Sequence, residues 1–219
     1  MSGPAPVGRD ELRPRTLIAL QRGGLLAPDV LLVDAGGARV VVKDWAGGRL
    51  RALVGRWLSR REAGVYRALA GHPSVPRYLG RIDACAFALE HRPGRRASRR
   101  RPPLPGPAFG ARLEAAVADL HARGVVHLDL RHRDNLLCDP EGRPVLVDFG
   151  AALRFRPGSA AGRWLLPQLA RLDRRAIRKW RRRLTPRPGI PAFRAYALGS
   201  PRSAAGAPSG SGLGASRPT

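Results

Sequence analysis

The sequence predicts an α+β protein of two lobes, and three observations carry that expectation. Strand-like segments interrupted by one helical stretch fill roughly the first ninety residues. A break rich in arginine, proline and glycine follows, over 91–107. Beyond it the apolar pattern is mostly helical.

Taken in order, residues 1–12 are Pro- and Gly-rich and are expected to be flexible. The first lobe is expected over 13–90. In it Thr16 to Leu20 is a short apolar run fit for a strand. Val30-Leu31-Leu32-Val33 and Arg39-Val40-Val41-Val42-Lys43 flank a turn holding Gly36-Gly37, which supplies positive φ, and read as a β-hairpin. From Leu50 to Leu69 the spacing of Leu53, Trp57, Val65 and Leu69 predicts a helix with those four on its apolar face. Gly71-His72-Pro73 breaks it, and strands are expected at Tyr78 to Ile82 and Ala84 to Leu89.

The stretch 91–107, with six arginines, reads as a linker between lobes. The second lobe is expected over 108–190. It begins with an amphipathic helix marked by Leu113, Val117 and Leu120 and closed by Gly124. Val145-Leu146-Val147 is a buried strand after a turn at Gly142 and Pro144. A last helix is expected to pack through Leu165, Leu169, Leu172, Ala176, Trp180 and Leu184. Residues 195–219 are nearly all Gly, Ser, Ala, Pro and Arg, too poor in apolar surface to offset the entropy of ordering, and are expected to be disordered.

Charge is lopsided: 40 Lys and Arg stand against 16 Asp and Glu, for a net +24. Only Lys43 and Lys179 are lysines, which leaves 38 arginines. Such a surface attracts nucleic acid, anionic membranes and phosphorylated ligands alike, so charge alone does not choose a partner. Between Arg171 and Arg183 eight residues are basic. They suit peripheral contact with an anionic membrane, whereas nucleic acid is disfavoured because only Trp180 offers a stacking ring among them. Cys85 and Cys138 lack metal or redox spacing and read as free thiols in a reducing cytosol. No apolar stretch approaches a membrane span, and no charged-then-apolar signal opens the chain. A cytoplasmic protein, at most peripheral at the inner face of the membrane, is expected.

One constellation carries chemistry. His127-Leu128-Asp129-Leu130 is followed by Asn135-Leu136-Leu137, and thirteen residues beyond Asn135 comes Asp148-Phe149-Gly150. Upstream, Lys43 ends a strand in a chain that otherwise uses arginine, and Glu62 follows nineteen residues later on a helix. The set resembles the strand lysine, helix glutamate, His-x-Asp…Asn loop and Asp-Phe-Gly motif of the protein-kinase-like superfamily.

That resemblance implies a kinase that binds ATP and Mg2+ between two lobes and transfers the γ-phosphoryl group to a hydroxyl. It assigns Lys43 and Glu62 to the nucleotide phosphates, Asn135 and Asp148 to the metal, and Asp129 and Arg131 to catalysis. Phe87 to His91 would be the hinge that meets adenine. The acceptor is a protein Ser/Thr or a sugar of an envelope glycolipid. A pseudokinase, nucleotide-binding without turnover, is the alternative.

Three departures stand out. The step from Asp129 to Asn135 is one residue longer than usual, so Asp134 competes with Asn135 as metal ligand. No Gly-x-Gly-x-x-Gly precedes Lys43, and Gly23-Gly24 is the available substitute. No Ala-Pro-Glu follows Gly150, and the second lobe is short. These features bring the chain nearer to compact members of the superfamily, such as RIO-type kinases and bacterial lipopolysaccharide-core sugar kinases.

Overall fold

The computed structural model of the 219-residue chain describes residues 7–98, 108–156 and 158–184. The expectations for 1–6, for 99–107 of the linker, for 185–190 and for the 195–219 tail lie outside the described residues.

The first lobe is a five-stranded antiparallel sheet in the order β1-β2-β3-β5-β4. Its strands are β1 (Thr16–Gln21), β2 (Asp29–Asp34), β3 (Arg39–Asp44), β4 (Tyr78–Arg81) and β5 (Ala86–Glu90). The β2–β3 hairpin pairs Val33 with Val40 and Leu31 with Val42, and its turn takes Gly36 and Gly37 to positive φ. Alternation along β3 sends Val40 and Val42 to one face of the sheet. There they pack with Val33, Ala35 and Ala86, and with Val7 and Leu12 of the N-terminal segment.

Residues 7–12, the described part of the segment expected to be flexible, are packed against the sheet. Val7 and Leu12 are buried, α1 (Leu12–Arg15) opens the fold, and Arg9 forms ion pairs with Asp44 and Asp83. Two apolar anchors and a paired guanidinium hold a segment that composition alone marks as loose.

The other face of the sheet receives α2 (Arg49–Ala68). Its buried residues are Gly55, Ser59, Glu62, Ala63, Val65 and Tyr66. The predicted stripe is half right: Val65 and Leu69 are buried, but Leu53 and Trp57 are exposed. Small residues, not large ones, line the first turns of the contact. A Cβ on Gly55 would stand 2.4 Å from Trp45 Cβ, so the helix approaches the sheet more closely than a leucine stripe permits.

The second lobe holds α3 (Phe109–Ala122) and α4 (Ala160–Leu184). Between them run β7 (Val125–Val126), β8 (Leu136–Cys138), β9 (Pro144–Leu146) and β10 (Leu153–Arg154). β6 (Arg95–Arg96), inside the stretch expected to be linker, pairs with β8. Gly124 ends α3 at φ 76°, where its carbonyl accepts from Phe155 N, and a Cβ would meet Phe155 O at 2.5 Å. The chain must turn tightly there to lay β7 beside β10.

α4 packs through a different face from the one expected. Ala170, Asp173, Ala176, Ile177 and Trp180 are buried, whereas Leu165 and Leu172 are exposed. Trp180 and Ala176 fall on both the expected and the observed faces. The helix is rotated so that small residues and one acid face the rest of the lobe.

One apolar core joins the lobes. It runs from Trp45, Tyr66 and Phe87 through Phe149 to Leu113, Leu120, Leu146, Ile177 and Trp180.

Candidate active site

The site lies where β3, α2, the loop after β7 and the segment after β9 converge. Lys43 extends from β3 and is buried. Its Nζ donates to Glu62 Oε1 and to Asp148 Oδ1, each at 2.6 Å. Three residues read from distant parts of the sequence therefore form one ion triad. Burial works against the Lys43 charge, but Glu62 and Asp148 outweigh it and raise its pKa. Burial also works against the Asp148 charge, yet Lys43 holds that carboxyl below the usual carboxylate range. Glu62, fully enclosed, is lifted by burial despite Lys43. The triad holds the Lys43 ammonium between two carboxylates, and that of Asp148 is still 46% exposed.

Asp148 has φ 63°, and Leu128 in the other functional loop has φ 67°. No other described non-glycine residue adopts positive φ. Such conformations cost on the order of 1–3 kcal/mol each and persist only where the surroundings hold them. For Leu128 the holder is Asp173 of α4, a residue missed by the sequence reading. Its buried carboxylate accepts from His127 N at 2.8 Å and Leu128 N at 2.9 Å, with the His121 ring Nε2 at 3.0 Å. A signal for it existed: Asp173 is the sole acid in the 25 residues of α4.

His127 links the two loops. Asp129 N donates to its Nδ1 at 3.4 Å, and Nε2 lies 3.2 Å from Val147 O. That arrangement requires a neutral ring protonated on Nε2, and burial lowers the His127 pKa accordingly. Phe149 is wedged between the His127 ring, at 4.6 Å, and the Tyr66 ring, at 5.1 Å. Arg61, next to Glu62, donates to the carbonyls of Gly150 and Ala152 at 2.8 and 2.7 Å.

Asn135 Nδ2 donates to Asp129 O at 3.0 Å and to Asp129 Oδ2 at 2.9 Å. Its Oδ1 is then the atom left for a cation. Asp134, the competing ligand, is ion-paired with Arg96. Arg131 stands exposed on the same loop as Asp129. Gly23 and Gly24 lie in the β1–β2 connection, where Gly23 N donates to Asp29 Oδ1 at 2.7 Å. Thus Lys43 touches both Glu62 and Asp148, Asn135 touches Asp129, and Arg131 has no hydrogen bond or ion pair to either group among the described residues.

Hard oxygen donors from Asp148 and Asn135 suit Mg2+, which takes one or two protein ligands and completes its shell with phosphate and water. Among the described residues no three His, Cys, Asp or Glu side chains gather into a group that could hold a metal ion. Both cysteines are free and buried, and no described helix is long and apolar enough to cross a membrane.

A β-rich lobe with one long helix, set on a mainly helical lobe, is a protein-kinase-like fold. Solved structures of the Rio2 kinase from Chaetomium thermophilum share it. One is its complex with ADP, Mg2+ and phosphoaspartate (TM-score 0.54, 19% identity, 80% of this chain and 60% of that chain). Another is the Rio2 kinase (TM-score 0.54, 20% identity, 80% and 61%). Curated relatives match over shorter stretches. The Arabidopsis thaliana serine/threonine-protein kinase AtPK1/AtPK6 is 35% identical over 69 residues, 29% of this chain and 15% of that protein. Sperm motility kinase Z of Mus musculus is 46% identical over 46 residues, 21% and 9%. This chain therefore spans about three fifths of the solved chains and a small part of the curated relatives. No protein-family model matches it.

Proposed function

We propose that the chain is an ATP-dependent phosphotransferase that moves the γ-phosphoryl group to a hydroxyl, with Mg2+ held at Asp148 and Asn135. The observation that carries this reading is the Lys43–Glu62–Asp148 triad, together with an Asp129 whose carboxylate is oriented by Asn135.

Each residue has a task in that chemistry. Lys43, kept in place by Glu62, offers its ammonium to the nucleotide phosphates. Asp148 and Asn135 present oxygen to the metal, which when bound neutralises charge on the transferred group. Asp129 aims the acceptor hydroxyl and takes its proton, and its Asn135 contact fixes the direction of the carboxylate. Arg131 adds positive charge at the mouth of the loop. The β1–β2 connection with Gly23-Gly24 covers the phosphates, and β5 through His91 serves adenine. The acceptor is a protein Ser/Thr or a glycolipid sugar. The Mg2+ and nucleotide of the Rio2 complex support the ligand assignment.

Incubation with γ-labelled ATP and Mg2+, with total protein and extracted envelope glycolipid as separate acceptors, tests the proposal. Label on either acceptor, lost in Asp129→Ala and Asp148→Asn, is expected. Intact nucleotide binding with no label on any acceptor would replace the reading with that of a pseudokinase.

A further inference from the structure

The outward face of α4 carries charge and apolar surface that the phosphotransfer site does not use. Over 25 residues the helix is about 37 Å long at 1.5 Å per residue. Its buried side is Ala170, Asp173, Ala176, Ile177 and Trp180. At 100° per residue, the opposite side presents Trp164 together with Arg171, Arg175, Arg178 and Arg182. Leu165 and Leu172 flank that side in line with Lys179 and Arg183.

The apolar members are open: Trp164 is 77% exposed, Leu165 52% and Leu172 44%. Among the described residues the four outward arginines meet no carboxylate, in contrast to Arg181, which pairs with Glu114 on α3. Trp180 Nε1 donates to Leu130 O at 2.7 Å and so pins α4 against the loop that carries Asp129. Arg183 lies over the Trp180 ring. The charges of Arg183, Arg131 and Arg133 depress the Lys179 ammonium, which places the loop arginines and the end of α4 in one electrostatic field.

A helix face of arginines with an indole and leucines among them matches a lipid headgroup layer. Guanidinium groups meet phosphates, the indole sits at the interface, and the leucines reach the acyl boundary. Nucleic acid recognition draws instead on a series of stacking rings, and this face has one. We propose that this face of α4 lies on an anionic bilayer; this binding does not rest on the phosphotransferase reading.

The full chain is offered vesicles of phosphatidylcholine alone, or with roughly one third phosphatidylglycerol, at about 0.1 M and about 0.5 M salt. Sedimentation is expected to show at least about tenfold tighter binding to the anionic vesicles at low salt. Arg171→Glu/Arg175→Glu/Arg178→Glu should abolish that preference. Trp164→Ser/Leu165→Ser should remove most of the binding that survives high salt, where charge is screened. Lipids brominated in the acyl chain should quench tryptophan emission in the wild type and not in Trp164→Phe.

Wild-type vesicle binding by the serine variant at both salts, or quenching unchanged in Trp164→Phe, would overturn the proposal. So would polyuridylate or an acidic peptide losing affinity as much as vesicles do on Trp164→Ser. Asp129→Ala should bind vesicles normally. Vesicle binding without phosphotransfer by the wild type would sink the kinase reading alone, and transfer without Trp164-dependent binding would sink the membrane proposal alone.

Discussion

Replacing Asp173 with Ala tests how the second lobe holds the loop that carries Asp129. Asp173 is 1% exposed and accepts from two successive backbone amides and lies against the His121 ring. Alanine leaves His127 N and Leu128 N without their acceptor. A buried donor so orphaned costs about 1–3 kcal/mol, and bonds to a carboxylate belong in the upper half of that range. Water can reach Leu128, which is half-buried, but not His127, which is fully enclosed. A loss of about 3–4 kcal/mol is therefore expected, most of it at His127. The loop itself is strained at Leu128, where φ is 67°. Once released, it should relax and carry Asp129 away from its bond to Asn135. Misplacement by about 1 Å costs on the order of a hundredfold in rate, with nucleotide affinity nearly unchanged because Lys43 and Asp148 lie on other elements. Urea unfolding gives the stability, and labelled-phosphate transfer with varied ATP separates kcat from KM. A loss below about 1 kcal/mol, or an unchanged kcat in a folded variant, would refute the assignment of Asp173 as the holder of this loop.

Further perturbations probe the remaining contacts. Lys43→Met strands Glu62 in the interior, so stability should fall by about 3–5 kcal/mol at pH 8. The loss should be smaller near pH 5.5, because Glu62 can take up a proton, and Lys43→Met/Glu62→Gln should recover part of it in denaturant titrations. Arg61→Met removes the grip on Gly150 and Ala152 and should raise the Mg-ATP KM about tenfold, with Arg61→Lys restoring part of it. His127 and His72 have pKa values lowered by burial, so the unfolded chain binds more protons than the native one below about pH 6.5. Stability should therefore decline as pH falls from 7 toward 5, and His72→Gln should make that decline shallower in thermal melts. Gly55→Ala drives a Cβ to 2.4 Å from Trp45 Cβ. The overpacking, about 1–3 kcal/mol, should exceed the helix-propensity gain of about 1 kcal/mol, so Tm should drop.

Residues that belong to a motif were legible in the sequence, and residues that hold others in place were not. Lys43 stood out as one of two lysines, and the resemblance to the protein-kinase-like superfamily pointed to Glu62 and Asp148. The structure brings all three within hydrogen-bonding distance. Strand periodicity placed the β2–β3 hairpin to within a residue, because a two-residue period with a glycine turn leaves little choice of register. The helices were found, but their faces were misjudged in the same way twice. Leu53 and Trp57 on α2, and Leu165 and Leu172 on α4, were given to the core because they are large and apolar, yet each is exposed. The observed contacts use Gly55, Ser59 and Ala63 on α2 and Ala170, Asp173 and Ala176 on α4. Close approach is what these helices need: α2 must bring Glu62 to Lys43, and α4 must bring Asp173 under the backbone of Leu128. A face of leucines would hold each helix too far off for a carboxylate to reach. The same requirement that positions the site thus turns the large apolar residues outward, and on α4 it leaves Trp164, Leu165 and Leu172 exposed among arginines.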